Sequence, residues 1–278
     1  MFSVKNFYII NCNKDMSMNI EMISNSDEII NFMPVIESAW NSNNALHAFK
    51  DTIHSMAYHG GFVLAAYDGG ELVGMSFSYP GYRNGKVYLY SHMTGVISEK
   101  KTSGIGYLLK MKQKEYAQSY GYNLIAWTFD PMMSTNAHFN LNKLGAFSRS
   151  YLDNFYGNMG DGLNSGLPTD RLVAEWYIND IYDKNYQDPV YINELNYENY
   201  SLTFNDFNDE EIIGMKMFTD FQKIKKNDLQ TALKIKLKYR DIFKKLLNNN
   251  YTIINFEKKN NAYIFRKNYE LKQKNIFK

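Results

Sequence analysis

The chain has 278 residues, 45% of them hydrophobic and 16% aromatic, enough apolar surface to pack a core, which excludes a disordered polymer. Its formal net charge of +2 is not gathered into a basic arm, so nothing demands a nucleic acid or an anionic membrane as partner. The single Cys12 excludes an intramolecular disulfide and a zinc site of several thiolates, and no stretch reaches the roughly 18 apolar residues of a membrane span, so a cytoplasmic chain is expected.

The segment "NIEMISNSDEIINFMPVIESAW" predicts a strand and then a helix, with Ser26 or Asp27 as N-cap and Ile29, Ile30, Met33, Ile36 and Trp40 on one face. A second helix is predicted over 44–58. The period then changes to two. Three aromatic-rich runs are separated by Asp68-Gly69-Gly70 and Asn84-Gly85, both strong hairpin signals. The third run enters the loop "SEKKTSGIG" and a helix from about Gly104 to Tyr120, with Ile105, Leu108, Leu109, Tyr116 and Tyr120 inward. "YNLIAWTFD" is the next strand, parallel to the one before the helix if the crossover is right-handed. "STNAHFNLNKLG" predicts a helix capped by Ser134 or Thr135 and stopped by Gly145. A Gly/Asn-rich loop follows, then the strand "RLVAEWYI". Beyond Asn179 a loop-rich segment reaches about Glu211, too long to lack structure of its own. An amphipathic helix over about 228–248 and a hairpin over about 251–267 close the chain. The helix's Lys234, Lys236, Lys238, Lys244 and Lys245 are expected on its solvated face. The predicted organisation is thus an α/β domain, 1–179, with a C-terminal extension, 180–278.

The loop is the first candidate site. Helix N-termini offer unpaired N–H groups and the positive dipole end. Here Lys100 and Lys101 add charge, Thr102 and Ser103 add hydroxyls, and Gly104 and Gly106 leave room for an anion. A nucleoside-triphosphate loop needs a Lys-Ser/Thr pair where Tyr107-Leu108 stand, and a dinucleotide fingerprint needs a third Gly where Leu109 stands. Two glycines in a turn also suit a tight connection with no ligand.

"VISEKKTSGIG" resembles the acyl-coenzyme A signature of the GNAT acetyltransferase superfamily, with Lys101, Gly104, Gly106 and Val96 in the matching places and Lys for the usual Arg or Gln. The order of elements over about residues 19–178 is also similar to that superfamily. "WTFDPMMSTNAHFNLNKLGA", "YLDNFYG" and "DGLNSGLPTDRLVAEW" are similar to a family of uncharacterised GNAT proteins of bacteria and archaea. The resemblance implies a mixed, mostly antiparallel sheet with a central splayed parallel strand pair, flanked by helices. It implies an acyltransferase with acetyl-CoA or another acyl-CoA as donor and a small-molecule or peptide amine as acceptor. Val96 and Ile97 would hold the pantetheine. Lys101, Thr102, Ser103, Gly104, Ile105, Gly106 and Tyr107 would hold the pyrophosphate, and Asn136 and Asn140 would flank the cofactor. The usual thiolate acid, a Tyr four residues before the Gly that closes the second helix, is Leu141 here; Tyr151, Tyr156, Tyr107 or water would substitute.

For the base, His92 shares strand parity with Tyr88, Tyr90 and Val96 and is expected on one side of the sheet with them; a structural His under the sheet is the alternative. His138 is read as a surface or packing residue. His47 and His54 lack a third ligand, so no metal is expected. Asp130 closes a strand at the sheet's carboxyl edge, as a candidate for acceptor recognition or as a turn or helix-capping residue, and Asp161, Asp170, Arg171 and Glu175 are the other charged candidates for acceptor recognition. A non-catalytic acyl-CoA sensing module is the rival function, and dimerisation through the C-terminal helix is the other role left open.

Overall fold

The computed structural model describes residues 18–23, 28, 30–40, 49–157, 166–206 and 210–278. The predicted caps Ser26 and Asp27, with Cys12, Ile29, His47 and Asp161, lie outside the described residues. The chain forms two compact units, one ending at Ile125 and one beginning at Ala126.

In the first unit β1 (Met18–Ile23), α1 (Met33–Trp40), α2 (Phe49–Tyr58), β2 (Phe62–Asp68), β3 (Glu71–Arg83), β4 (Lys86–Val96) and α3 (Ile105–Ser119) follow the predicted order. The strands lie in the order β1-β2-β3-β4 with every neighbour antiparallel. Both predicted hairpin turns form, with positive φ at Gly69 and Gly70 and at Asn84 and Gly85, the paired left-handed residues that match strand twist. One face of the sheet packs Met75 and Phe77 with Phe32, Met33, Val35, Ile36 and Ile53. The other carries α3, which comes so close that a Cβ on Gly74 would meet Ile105 and Leu109 at 3.2 Å. The inner face of α3 departs from expectation. Ile105 and Leu109 are buried, but Tyr120 is 51% exposed and the remaining inner positions are Lys110, Gln113 and Ala117.

The second unit continues β5 (Leu124–Phe129) into α4 (Ser134–Ala137), which becomes π-helical over His138–Lys143. Neither predicted N-cap acts as one, because Met133 holds that place. The Asp130 carboxylate takes the Met132 N–H at 2.9 Å and its carbonyl takes the Met133 N–H at 3.1 Å, so this aspartate shapes the helix entry. Gly145, at φ +75°, ends the helix as its left-handed stop. β6 (Tyr151–Leu152) then pairs antiparallel with β7 (Arg171–Tyr177), which also neighbours β5.

The segment past residue 179 holds β8 (Val190–Tyr191), β9 (Asn193–Asn196), β10 (Ser201–Phe204) and β11 (Ile212–Lys216), the hidden structure that its length required. α5 (Phe221–Asn227), α6 (Leu229–Asn248), β12 (Tyr251–Glu257) and β13 (Ala262–Lys267) complete it, the last three within a residue of prediction. Asp228 caps α6 by accepting from the Gln230 and Thr231 N–H groups at 3.0 Å. A four-stranded sheet, β12-β13-β11-β8, contains the parallel pair β8–β11, and the side chains of Tyr239 and Phe243 on α6 are fully buried, each such burial contributing about 1.5–3 kcal/mol. Lys236 departs from the predicted solvated face: it is 2% exposed, with Nζ 3.5 Å from Asp130.

The mixed α/β architecture with helices on mostly antiparallel sheets is the one expected. The division of the chain is elsewhere. Ser148 exchanges backbone hydrogen bonds with Ile253 at 2.9 and 3.1 Å, Lys184 reaches the Leu141 and Ala146 carbonyls, and Tyr151 stacks on Phe243 at 5.5 Å. Residues 126–178 therefore share a core with the segment expected to be an extension.

Candidate functional site

β4 ends at Val96, and the Ile97 N–H donates to the Val73 carbonyl at 3.0 Å. The loop that follows is fastened on one side. The Ser98 N–H donates to Ser38 Oγ at 3.1 Å, Lys100 pairs with Asp68 of the first hairpin, and Ser103 Oγ donates to the Lys100 carbonyl at 2.6 Å. Lys100 is thus committed to a carboxylate, and the Ser103 proton is committed to the backbone. Lys101 and Thr102 remain exposed.

Gly104, at φ +87°, is the N-cap of the 15-residue α3 and makes no side-chain cap bond. A residue with a Cβ would be strained there. Its carbonyl accepts the Tyr107 and Leu108 N–H groups. Among the described residues none takes the N–H of Gly104, Ile105 or Gly106. A Cβ on Gly104 would meet nothing within 4 Å, and one on Gly106 only Val96 Cγ2 at 4.0 Å. Unpaired donors, an open approach and the positive end of a four-turn helix suit a phosphate or pyrophosphate.

His92 occupies a different place from the one that strand parity gives. Phe77 pairs with Met93 but Ser78 pairs with Ser91, so His92 is an inserted residue, a β-bulge in β4. The bulge breaks the alternation. Val96 pairs with Gly74 on the α3 face, whereas the imidazole packs among Phe77, Tyr79 and Tyr90, at centroid distances of 5.9, 5.7 and 6.0 Å, on the opposite face. Tyr90, level with Tyr79, shares that face; Val96 does not. Burial lowers the His92 pKa below 6.5, so the ring is neutral near pH 7 and able to accept a proton.

In the second unit Asp170 and Glu175 are held in ion pairs. Asp170 is fully buried and takes Arg240 through both oxygens at 2.9 and 2.7 Å, the Tyr151 hydroxyl at 2.9 Å and the Asn154 N–H at 3.0 Å. Burial, and then Asp170, push the Tyr151 pKa up, which makes this phenol a poor proton donor. Glu175, also fully buried, pairs with Arg149 and accepts from the Tyr177 hydroxyl at 2.7 Å. Arg171 is 6% exposed, donates to the Asp170 carbonyl and covers the Tyr156 ring at 5.2 Å. Tyr156 differs from Tyr151: it is 38% exposed, and its hydroxyl lies 3.0 Å from Thr128 Oγ1 of β5. Leu141 is fully buried, Asn140 is buried and Asn136 is exposed. His138 has the packing role expected of it, its Nδ1 lying 3.2 Å from the Phe256 carbonyl.

Sequence reasoning missed a buried polar cluster between α3 and the sheet: Lys110, Gln113, Ser76, Ser78 and Ser91, none more than 4% exposed. The signal was available, since Lys110, Gln113 and Ala117 continue the Ile105–Leu109 face at helical spacing and the serines alternate along "MSFSYP". Burial pushes the Lys110 pKa down to about 7.

No family model matches the chain, and no curated protein matches it. Solved structures do. The chain is similar to GNAT acetyltransferases. An N-acetyltransferase from Staphylococcus aureus Mu50 shares 11% identity at a TM-score of 0.47, over 58% of this chain and 99% of its own. A GNAT family acetyltransferase from Elizabethkingia anophelis with acetyl-CoA bound shares 16% at 0.43, over 59% and 99%. An IAA acetyltransferase from Bacillus cereus ATCC 14579 shares 16% at 0.44, over 57% and 98%. Among the described residues no helix is long and apolar enough to cross a membrane.

Proposed function

We propose that the chain is an acyltransferase that moves an acetyl or longer acyl group from acyl-coenzyme A to the amine of a small molecule or peptide. The observation that carries this reading is the open N-terminus of α3, where Gly104, Ile105 and Gly106 present N–H groups with no partner among the described residues and no side chain stands in front of them. These groups, with Lys101 and Thr102, are assigned to the pyrophosphate; the N–H groups of Ser103 and Tyr107 already donate to the Lys100 and Gly104 carbonyls. The end of β4 at Val96 and Ile97 is assigned to the pantetheine.

The bound donor supplies an activated thioester. His92, neutral through burial, accepts the proton that the attacking amine loses. Within the second unit Tyr156, 38% exposed, suits proton donation better than Tyr151, whose proton is held by Asp170. Asp170 and Glu175 are assigned to the scaffold, because each already faces an arginine. Asp130, which takes the Met132 N–H and faces Lys236, and the buried Arg171, which donates to the Asp170 carbonyl, are assigned to the scaffold as well.

Calorimetric titration with coenzyme A tests the donor site. Gly106→Glu suits it, since that position has open space and no positive φ. Wild type is expected to bind and to gain thermal stability; the folded variant, with a carboxylate against the pyrophosphate, is expected to lose both. Equal binding by the two proteins would end this reading. The buried Leu141 at the usual acid position favours a second reading, a non-catalytic acyl-CoA sensor. Tight binding with no transfer to a panel of amines would select it.

A further inference from the structure

The buried cluster and the His92 bulge lie on opposite faces of the same two strands. On the α3 face the Gln113 amide nitrogen reaches three hydroxyls, Ser76 at 3.0 Å, Ser78 at 3.3 Å and Ser91 at 3.0 Å. Lys110 Nζ donates to Ser91 Oγ at 2.7 Å and to Gln113 Oε1 at 3.1 Å. Ser76 shares a hydrogen bond with Thr94 at 3.0 Å, and Ser78 donates to the Phe62 carbonyl at 3.4 Å. The backbone register gives this arrangement its meaning. Ser78 pairs with Ser91 and Ser76 with Thr94, and between those two rungs lie only Phe77, Met93 and the inserted His92.

A bulge can slide along a ladder, because neighbouring positions cost similar numbers of backbone hydrogen bonds, and each slide turns side chains to the other face. Moving the insertion from His92 to Ser91 would pair His92 with Ser78 and bring the imidazole round to the α3 face. It would also take Ser91 away from Lys110 and Gln113, breaking two buried hydrogen bonds. On the other face Phe77, Tyr79 and Tyr90 touch His92 through their rings. The hydrogen bonds of Lys110 and Gln113 to Ser76, Ser78 and Ser91 hold the register from the α3 face.

We infer that Lys110 and Gln113 are positioning residues for His92: from α3 they lock the two rungs that bracket the bulge and so hold the imidazole on the aromatic face. The functional consequence rests on the reading of His92 as the base. The structural claim stands apart from it. It also makes the helix that carries the proposed phosphate site at its first turn the element that sets the base two turns further along.

The test uses the full chain with 13C-labelled histidine, the His92 signal being assigned by its loss in His92→Gln. Two variants are compared with wild type. Gln113→Leu removes the shared donor. A fivefold variant, Lys110→Met, Gln113→Leu, Ser76→Ala, Ser78→Ala and Ser91→Ala, removes the cluster's donors and acceptors together; outside the cluster Thr94 Oγ1 and the Phe62 carbonyl lose a bond, and circular dichroism checks that the fold is retained. In the fivefold variant His92 is expected to show a second signal or to lose its ring contacts with Phe77 and Tyr79, and its titration midpoint is expected to rise toward the unperturbed value near 6.5. Gln113→Leu is expected to give a smaller change in the same direction. Acyl transfer is expected to fall in kcat with the KM for the acyl donor unchanged. A single His92 signal with wild-type ring contacts and midpoint in the folded fivefold variant would overturn the inference. The spectroscopic readout needs no turnover, so its outcome is separate from that of the catalytic reading, which fails if His92→Gln leaves transfer unchanged.

Discussion

Asp170 has no exposed surface and meets Arg240 through both oxygens, with Tyr151 and the Asn154 N–H as further donors. As one charge near the end of a Gly-rich loop it resembles a recognition residue; only its four hydrogen bonds, from three partners, show that it is a structural anion. Asp170→Ala leaves a guanidinium facing an apolar gap, and a loss of about 3–5 kcal/mol is expected, read as a lower urea midpoint at unchanged slope. Lys110 gives a pH dependence whose sign is fixed. Its folded pKa is about 7 against an ordinary 10.5. Below pH 7 folded and unfolded chains both carry the proton; between 7 and 10.5 only the unfolded chain does, so folding gains stability as pH rises through that window. Lys110→Met is expected to flatten this rise, and chemical denaturation at pH 6.5, 8 and 9.5 would show it.

At the scale of elements, hairpins and amphipathic helices were legible because their determinants are local. Asn84-Gly85 and Asp68-Gly69-Gly70 supply left-handed turn residues, and the apolar period of α6 agrees with its buried side chains over most of its length. The bulge at His92 and the π-helical stretch after α4 were not legible. A bulge adds one residue without changing composition, and here its place is tied to serines on one face and an aromatic cluster on the other. The π-helical stretch replaces the ordinary hydrogen-bond pattern with a five-residue bond from the Leu144 N–H to the Phe139 carbonyl at 3.0 Å. Lys184 reinforces that helix end by donating to the Leu141 and Ala146 carbonyls at 3.1 and 2.7 Å over the Phe147 ring.

At the scale of the whole molecule, composition shifts after Asn179, yet the compact units divide after Ile125. Truncation at residue 179 should therefore damage what precedes it. It removes Arg240 from Asp170, Ile253 from Ser148 and Phe243 from Tyr151, and the shortened chain is expected to lose cooperative unfolding and expose hydrophobic surface. A sharp transition in the truncated chain, followed by circular dichroism and dye binding, would show that residues 126–179 fold without the remainder. The sequence alone determined the order of strands and helices from β1 to β5, the hairpin turns, the α6 helix and the glycine loop at the start of α3, since each follows from spacing and backbone preference within a few residues. Only the tertiary structure decided which side of the sheet His92 faces, which charges are consumed in buried pairs and where the chain divides. Those outcomes depend on partners as far apart in sequence as Asp170 and Arg240 or Ser148 and Ile253, and local pattern carries no record of them.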